Sequence, residues 1–204
     1  MQKKASLTAI DLIYGYSNGI FPMADSEEGA LYWYAPDPRA VIPIDTYQPS
    51  RSLRPVLNQR VFEIRVDTAF EQVMRGCAGP RPDSGETWIS EEIVAAYCKL
   101  HEMGYAHSVE AFREGYLAGG LYGVTLGTAF FGESMFFRQP NASKVAFHHL
   151  MEILRGHGFT LLDTQFINDN VRRFGAIEIP RETYMRFLKK ALSEKAIFPS
   201  AYQA

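Results

Sequence analysis

Residues 107–137 read HSVEAFREGYLAGGLYGVTLGTAFFGESMFF, and their organisation decides the fold. Three extended runs, HSVEAF, YLAGGLYGV and TAFFGESMFF, are separated by the short breaks REG and TLG. Each break ends in glycine, the residue that most easily takes the positive φ of a tight turn. Runs joined this way pair antiparallel, so the segment predicts a three-stranded meander.

Upstream, Thr68 with Glu71 has the form of a capping box for a helix carrying Phe70, Val73, Met74 and Cys77. After the loop GPRPDSGETW, Ser90 caps a second helix with Ile93, Ala96, Tyr97 and Leu100 on one stripe, ending at Gly104. Downstream, Asn141 opens a helix with Phe147, Leu150, Met151 and Leu154 facing inward, closed by Gly156. A strand at 161–166 and a helix over about 181–193, with Tyr184, Phe187 and Leu188 inward, complete the pattern. This order suits a mixed α+β sheet flanked by helices, and it is compatible with a fold of the N-acetyltransferase (GNAT) type.

The region before residue 62 reads differently. Ser6 caps a helix to about Asn18, with Ile10, Ile13 and Tyr14 as its apolar stripe and Gly19 as its stop. Pro22, Pro36, Pro38 and Pro43 then interrupt an aromatic stretch around Tyr32, Trp33 and Tyr34, which argues against helix or central strand there. VIPI and VFEIRV are short extended pieces around a basic turn bearing Arg51, Arg54 and Arg60. A division into a small N-terminal α/β domain, 1–62, and a larger domain, 63–204, follows.

The 204 residues carry 21 basic and 23 acidic side chains, a net charge of −2, so bulk charge does not coat nucleic acid. Cys77 and Cys98, the only cysteines, have neither metal-like spacing nor a disulfide framework, which fits a reducing compartment. The start, MQKKASLTAIDL, reads as a capped helix rather than a signal peptide. No apolar run approaches the roughly 20 residues of a membrane span. A cytoplasmic protein is expected.

The strand at 161–166, LLDTQF, is apolar except for Asp163 and Gln165, which alternation puts on one face. A buried unpaired carboxylate is costly. Either local structure satisfies Asp163, or the pair faces a site where a fixed carboxylate accepts a proton or positions an amine. Asn168 follows closely. In FFGESMFF, Glu133 interrupts a very apolar strand and Gly132 hints at a bulge or a close ligand. Alternation puts Phe131, Glu133 and Met135 together unless a bulge resets it. Gly119, Gly120 and Gly123 favour a ligand-accommodating surface. Tyr16, Trp33, Tyr34, Trp88 and Tyr97 are aromatic groups with polar tips, a kind of residue that taken singly is more often core than cofactor contact. Trp88, between a loop and a helix cap, is placed to stack on a nucleobase, a contact of about 1–3 kcal/mol.

Other chemistries lack their motifs. The histidines show no ligand spacing, and there is no zinc or calcium motif, GxSxG elbow, Walker loop or GxGxxG. The residues before the Asn141 helix, FFRQPNASK, lack the glycines of a coenzyme A pyrophosphate loop. No metal or cofactor is expected.

The ordered segments YSNGIFPM (16–23), WYAPDPRAVIP (33–43), TWIS (87–90), GYAHSVEAF (104–112), GGLYG (119–123), FGESMFFR (131–138), NASK (141–144), LLDTQF (161–166) and GAIEIPR (175–181) together resemble the leucyl/phenylalanyl-tRNA–protein transferases, over about residues 7–190. The resemblance implies transfer of Leu, Phe or Met from aminoacyl-tRNA to the N-terminal Arg or Lys of a protein, marking it for degradation in the N-degron pathway. It implies a GNAT-like C-terminal part, with the tRNA 3′ end in place of coenzyme A. Carried over by position, Asp163 and Gln165 match the catalytic pair, with Glu133 and Asn168 as further polar site residues. Tyr16, Trp88 and Tyr97 fall around the terminal adenosine. Leu121, Phe130, Gly132, Met135 and Phe147 line the pocket for the amino-acid side chain. Met23 stands where the family can have an adenine-stacking Trp. Better-known members carry a further N-terminal stretch, so the first domain is expected to be shortened. Arg51, Arg54 and Arg60 are candidates for tRNA phosphate, with Lys3, Lys4, Arg172 and Arg173 behind them. One mechanism has Asp163 orient Gln165 and attract the incoming cationic N-terminus, with Gln165 shuttling a proton from the amine or holding it in line; a competing one has Asp163 act by electrostatics alone, with the ribose hydroxyl relaying the proton. A monomer is expected.

Overall fold

The computed structural model describes residues 7–24, 30–79, 89–200 and 202. Helix α1 (Ala9–Ser17) leads into a ribbon of β1 (Phe21–Ala24) and β2 (Leu31–Tyr34), then a short strand, β3 (Arg39–Val41). Helix α2 (Arg54–Asn58), β4 (Glu63–Val66), α3 (Phe70–Cys77) and α4 (Glu91–Glu102) follow. The meander is β5 (Ala106–Arg113), β6 (Tyr116–Leu126) and β7 (Ala129–Phe137), antiparallel throughout. After it come α5 (Ala142–Gly156), β8 (Leu161–Gln165), α6 (Asp169–Arg173), β9 (Ile177–Ile179) and α7 (Arg181–Ser193).

These strands form a seven-stranded sheet in the order β4-β5-β6-β7-β8-β3-β9. β7 and β8, joined through α5, run parallel. The other neighbours are antiparallel. The strands of the meander are apolar on both faces, and each face is covered. Leu12 and Tyr16 of α1, Val73 and Met74 of α3, Ile93 and Tyr97 of α4, and Tyr184 and Leu188 of α7 pack on one. Phe147, Leu150 and Met151 of α5, with Ile42, Ile44, Tyr47 and Phe198, pack on the other. The fold is a mixed α+β sandwich of helices around a sheet.

Several local expectations change. α1 is capped by Thr8, which forms a capping box with Asp11, while Ser6 lies outside the described residues. Its buried residues are Ala9, Leu12, Gly15 and Tyr16, whereas Ile10 (64% exposed) and Tyr14 (68%) face outward. A helix so apolar all round offers more than one stripe, and the one carrying Ala9, Leu12 and Tyr16 made the contact. Phe187 of α7 is likewise 48% exposed. Thr68 and Glu71 form no capping box. The buried carboxylate of Glu110 accepts from Thr68 N, Thr68 Oγ1 and Ala69 N instead, closing α3 from a neighbouring strand.

Pro38 and Pro43 bracket β3 rather than interrupting it, so Arg39–Val41 pairs on both sides, with β8 and β9. A strand from residues 1–62 thus lies inside the sheet formed otherwise by residues 63–204. The meander glycines serve packing. A Cβ on Gly119 would lie 2.8 Å from the Cβ of Ala142, and one on Gly123 2.3 Å from the Phe130 ring. The space that suggested a ligand is filled by α5 and by Phe130.

Candidate active site

The site begins with an irregularity in β7. Tyr122 pairs with Ser134 and Gly123 with Gly132, so Glu133 is the extra residue of a β-bulge. The bulge resets alternation. Phe131 and Phe136 pack with the α1/α3/α4 cluster, while Phe130 and Met135 pack with the α5 cluster. Glu133 therefore does not share a face with Met135. Its carboxylate turns toward α1 and α4, where Tyr16 Oη donates to Oε1 at 2.7 Å and Tyr97 Oη to Oε2 at 3.1 Å. The two tyrosine hydroxyls also hydrogen-bond each other, so two phenolic protons serve three contacts, and all three are made together when Glu133 carries a proton and donates one of them.

The parallel ladder between β7 and β8 ends at Phe131–Asp163. Beyond it β7 runs on to Phe137 with no described strand pairing on that side, a gap in the main-chain ladder between β7 and β8. Gln165 reaches across that gap, its Nε2 donating to Glu133 Oε1 at 2.8 Å. Gln165 itself has φ +68°, in the left-handed region. That turn is held by Asp163, whose Oδ1 accepts from Gln165 N at 2.8 Å.

Asp163 is fully buried. Arg39 grips it with Nε 2.9 Å from Oδ1 and Nη2 2.7 Å from Oδ2, and Tyr184 Oη donates to Oδ2 at 2.7 Å. The expectation that Asp163 attracts the incoming cationic amine is corrected by this geometry: its cation is already present, and no face is left for substrate.

Electrostatics set Glu133 apart. Burial pushes its carboxyl up to about 7, against the hydrogen bonds from Tyr16 and Tyr97, with nearby Asp163 also raising it and Arg39 lowering it. A half-buried carboxyl at that value exchanges a proton near neutral pH. Burial, then Glu133, holds the Tyr97 and Tyr16 phenols well above their ordinary range, so both keep their protons.

The other expected residues fall in several places. Tyr16 and Tyr97 are fully buried and hold Glu133. Met23 packs half-buried against the same cluster. Trp88, Lys3 and Lys4 lie outside the described residues. Leu121, Phe130 and Phe147 are buried together in the α5 cluster with Met135 against them, and Gly132 sits at the mouth of the gap. Asn168 caps α6, accepting from Asn170 N and Val171 N. Arg51, Arg54, Arg60, Arg172 and Arg173 are exposed.

Arg39 and Tyr184 were missed as site residues. The available signal was an arginine heading the apolar run RAVIPI and an aspartate inside the apolar LLDTQF, each needing an opposite charge.

Glu133, the two tyrosines fixed on it and the Gln165 amide thus form a polar cluster inside an otherwise apolar sheet, the candidate active site of a mixed α+β protein. The chain belongs to the leucyl/phenylalanyl-tRNA protein transferase family. The model for that family matches residues 41–189, and the model for its N-terminal domain matches residues 5–37. A leucyl/phenylalanyl-tRNA–protein transferase of Chlorobaculum parvum is 55% identical over 92% of this chain and 97% of its own length. The one of Prosthecochloris aestuarii is 52% identical over 94% and 99%, and that of Gloeobacter violaceus 53% over 92% and 95%. Among solved structures, L-PGS from Bacillus licheniformis gives a distant likeness, with a TM-score of 0.42 and 14% identity over 80% of this chain and 53% of that one.

Proposed function

We propose that this chain transfers leucine or phenylalanine, and also methionine, from its tRNA ester to the amino terminus of a protein beginning with Arg or Lys, with Glu133 and Gln165 at the reacting centre. Family membership supports the reaction, and with it a role in marking proteins for degradation in the cytoplasm. The hydrogen bond between Glu133 and Gln165 across the strand gap is the observation that carries the assignment of residues. The bulge in β7 and its parting from parallel β8 favour the GNAT-like reading of the fold.

The ester is already activated, so no covalent enzyme nucleophile is required. The amine nitrogen forms a bond to the ester carbonyl carbon, the bond to the ribose oxygen breaks, and that oxygen leaves with the second proton shed by the attacking nitrogen. The incoming ammonium must first lose one. A protein α-amino group titrates at about 7.7–8.0, so passing its proton to a carboxylate at about 7 crosses roughly one pKa unit, about 1.4 kcal/mol. A carboxylate at the ordinary Glu value of 4.5 would make that step much steeper. Gln165, with Nε2 engaged by Glu133, keeps Oε1 as an acceptor to hold the amine in line. Gln165 orients and Glu133 takes the proton. Leu121, Phe130, Met135 and Phe147 offer the apolar surface for the amino-acid side chain, and the exposed arginines of the α2 region offer contacts to phosphate.

Radiolabelled leucine on tRNA, offered to a protein beginning with Arg and to the same protein beginning with Met, tests the reading. Label on the first alone supports it. Label on neither, with any hydrophobic aminoacyl-tRNA, overturns it.

A further inference from the structure

Asp163 has no exposed surface, and both its oxygens are occupied by protein donors. Direct contact with substrate is therefore closed to it, and beyond its through-space effect on Glu133 its hydrogen bond toward the site runs to Gln165. The link is the bond from Gln165 N to Oδ1, which holds a glutamine in left-handed backbone that a non-glycine residue rarely adopts. Released from that bond, Gln165 has every reason to relax to ordinary extended backbone, and its amide would swing away from Glu133.

The aim of Oδ1 is fixed in turn by groups from distant parts of the chain. The planar fork of Arg39 holds both oxygens, as a lysine ammonium cannot. The guanidinium is clamped between the Phe21 and Tyr184 rings, 4.6 Å from each centroid. Its Nη1 donates to Gly19 O at 3.3 Å. Tyr184 adds a direct bond to Oδ2, on the opposite oxygen from the one that holds Gln165. The carboxylate is thus gripped along one edge and presents one lone pair to the Gln165 amide.

We propose that Arg39 and Tyr184 are positioning residues for the transfer, acting through Asp163 to set the backbone and hence the side chain of Gln165. The proposal rests on the reading of Gln165 and Glu133 given above. It makes Asp163 a template rather than a base, and extends the functional unit to β3 and α7.

Tyr184→Phe in the full chain is the informative variant, because it keeps the ring over Arg39 and removes only the hydroxyl. Transfer from leucyl-tRNA should show kcat lowered about tenfold with the KM for leucyl-tRNA changed less than twofold. Arg39→Lys should lower kcat further. In parallel, hydrogen exchange of the Gln165 amide, followed by NMR, should be at least tenfold faster in Tyr184→Phe while amides of β5 and β6 keep their protection. A folded Tyr184→Phe protein with wild-type kcat, or with unchanged exchange at Gln165, would overturn the proposal. If the unaltered chain transfers nothing, the reading of function fails, and the exchange measurement still decides whether Arg39 and Tyr184 set Gln165.

Discussion

Gln165 Nε2 lies 2.8 Å from Glu133 Oε1, and this side-chain bond spans the sheet where main-chain pairing between β7 and β8 has stopped. One residue owes its direction to a bulge, the other to a left-handed backbone. Both are departures from regular strand, and together they turn an apolar sheet interior into a polar site.

Glu133→Gln keeps the shape and removes the titrating carboxyl. We expect a loss of turnover of at least a hundredfold, in line with general-base contributions of about 10²–10⁴, with near-normal binding of aminoacyl-tRNA. Single-turnover transfer beside an equilibrium binding assay checks both parts.

The same carboxyl makes stability depend on pH. Its folded value of about 7 stands above the ordinary 4.5, so between those values the folded chain holds a proton that the unfolded chain has released. This contribution is fully present below about 4.5 and is lost as pH rises through about 7. Thermal unfolding followed from pH 5 to 8 should show that loss in the unaltered chain and a smaller one in Glu133→Gln. Identical pH dependence in the two would contradict the assigned value.

Tyr16 and Tyr97 donate to Glu133 and thereby favour its charged form. Tyr16→Phe should move the rise of the transfer rate toward alkaline pH and leave the plateau rate within a few fold. A hydroxyl with a packing role only would leave that midpoint where it is.

Asp163→Ala removes one partner of a fully buried ion pair and strands Arg39. Breaking such a pair costs about 3–5 kcal/mol. The first effect should be a large fall in unfolding midpoint, measured by calorimetry, rather than a folded protein that binds tRNA normally and turns over slowly.

The arginines at 51, 54 and 60 are exposed. If they meet phosphate, each Arg→Ala variant weakens aminoacyl-tRNA binding and flattens its dependence on salt by roughly one unit of slope. Titrations at several salt concentrations distinguish this from ordinary surface, for which neither quantity moves.

The meander was legible in the sequence because glycine-ended breaks and apolar runs are local signals. The faces were not. Counted straight through, alternation puts Met135 beside Glu133, and one extra residue in β7 sends it to the other side. α1 shows the same limit: with apolar residues on most of its surface, periodicity could not choose between Ile10 and Leu12. The polarity of the site was visible as Glu133, Asp163 and Gln165 within apolar strands. Its construction was not, because Arg39 meets Asp163 across 124 positions of chain, and charge complementarity at that separation has no local signature.

The measurement that tests the central claim most directly is the pH dependence of single-turnover leucyl transfer to a protein beginning with Arg, for the unaltered chain and for Glu133→Gln. A carboxyl at about 7 that takes the amine's proton predicts a rate rising with pH through that value, and a variant whose residual rate lacks that rise. The same midpoint in both proteins would assign the titration to the substrate amine and contradict the role given to Glu133.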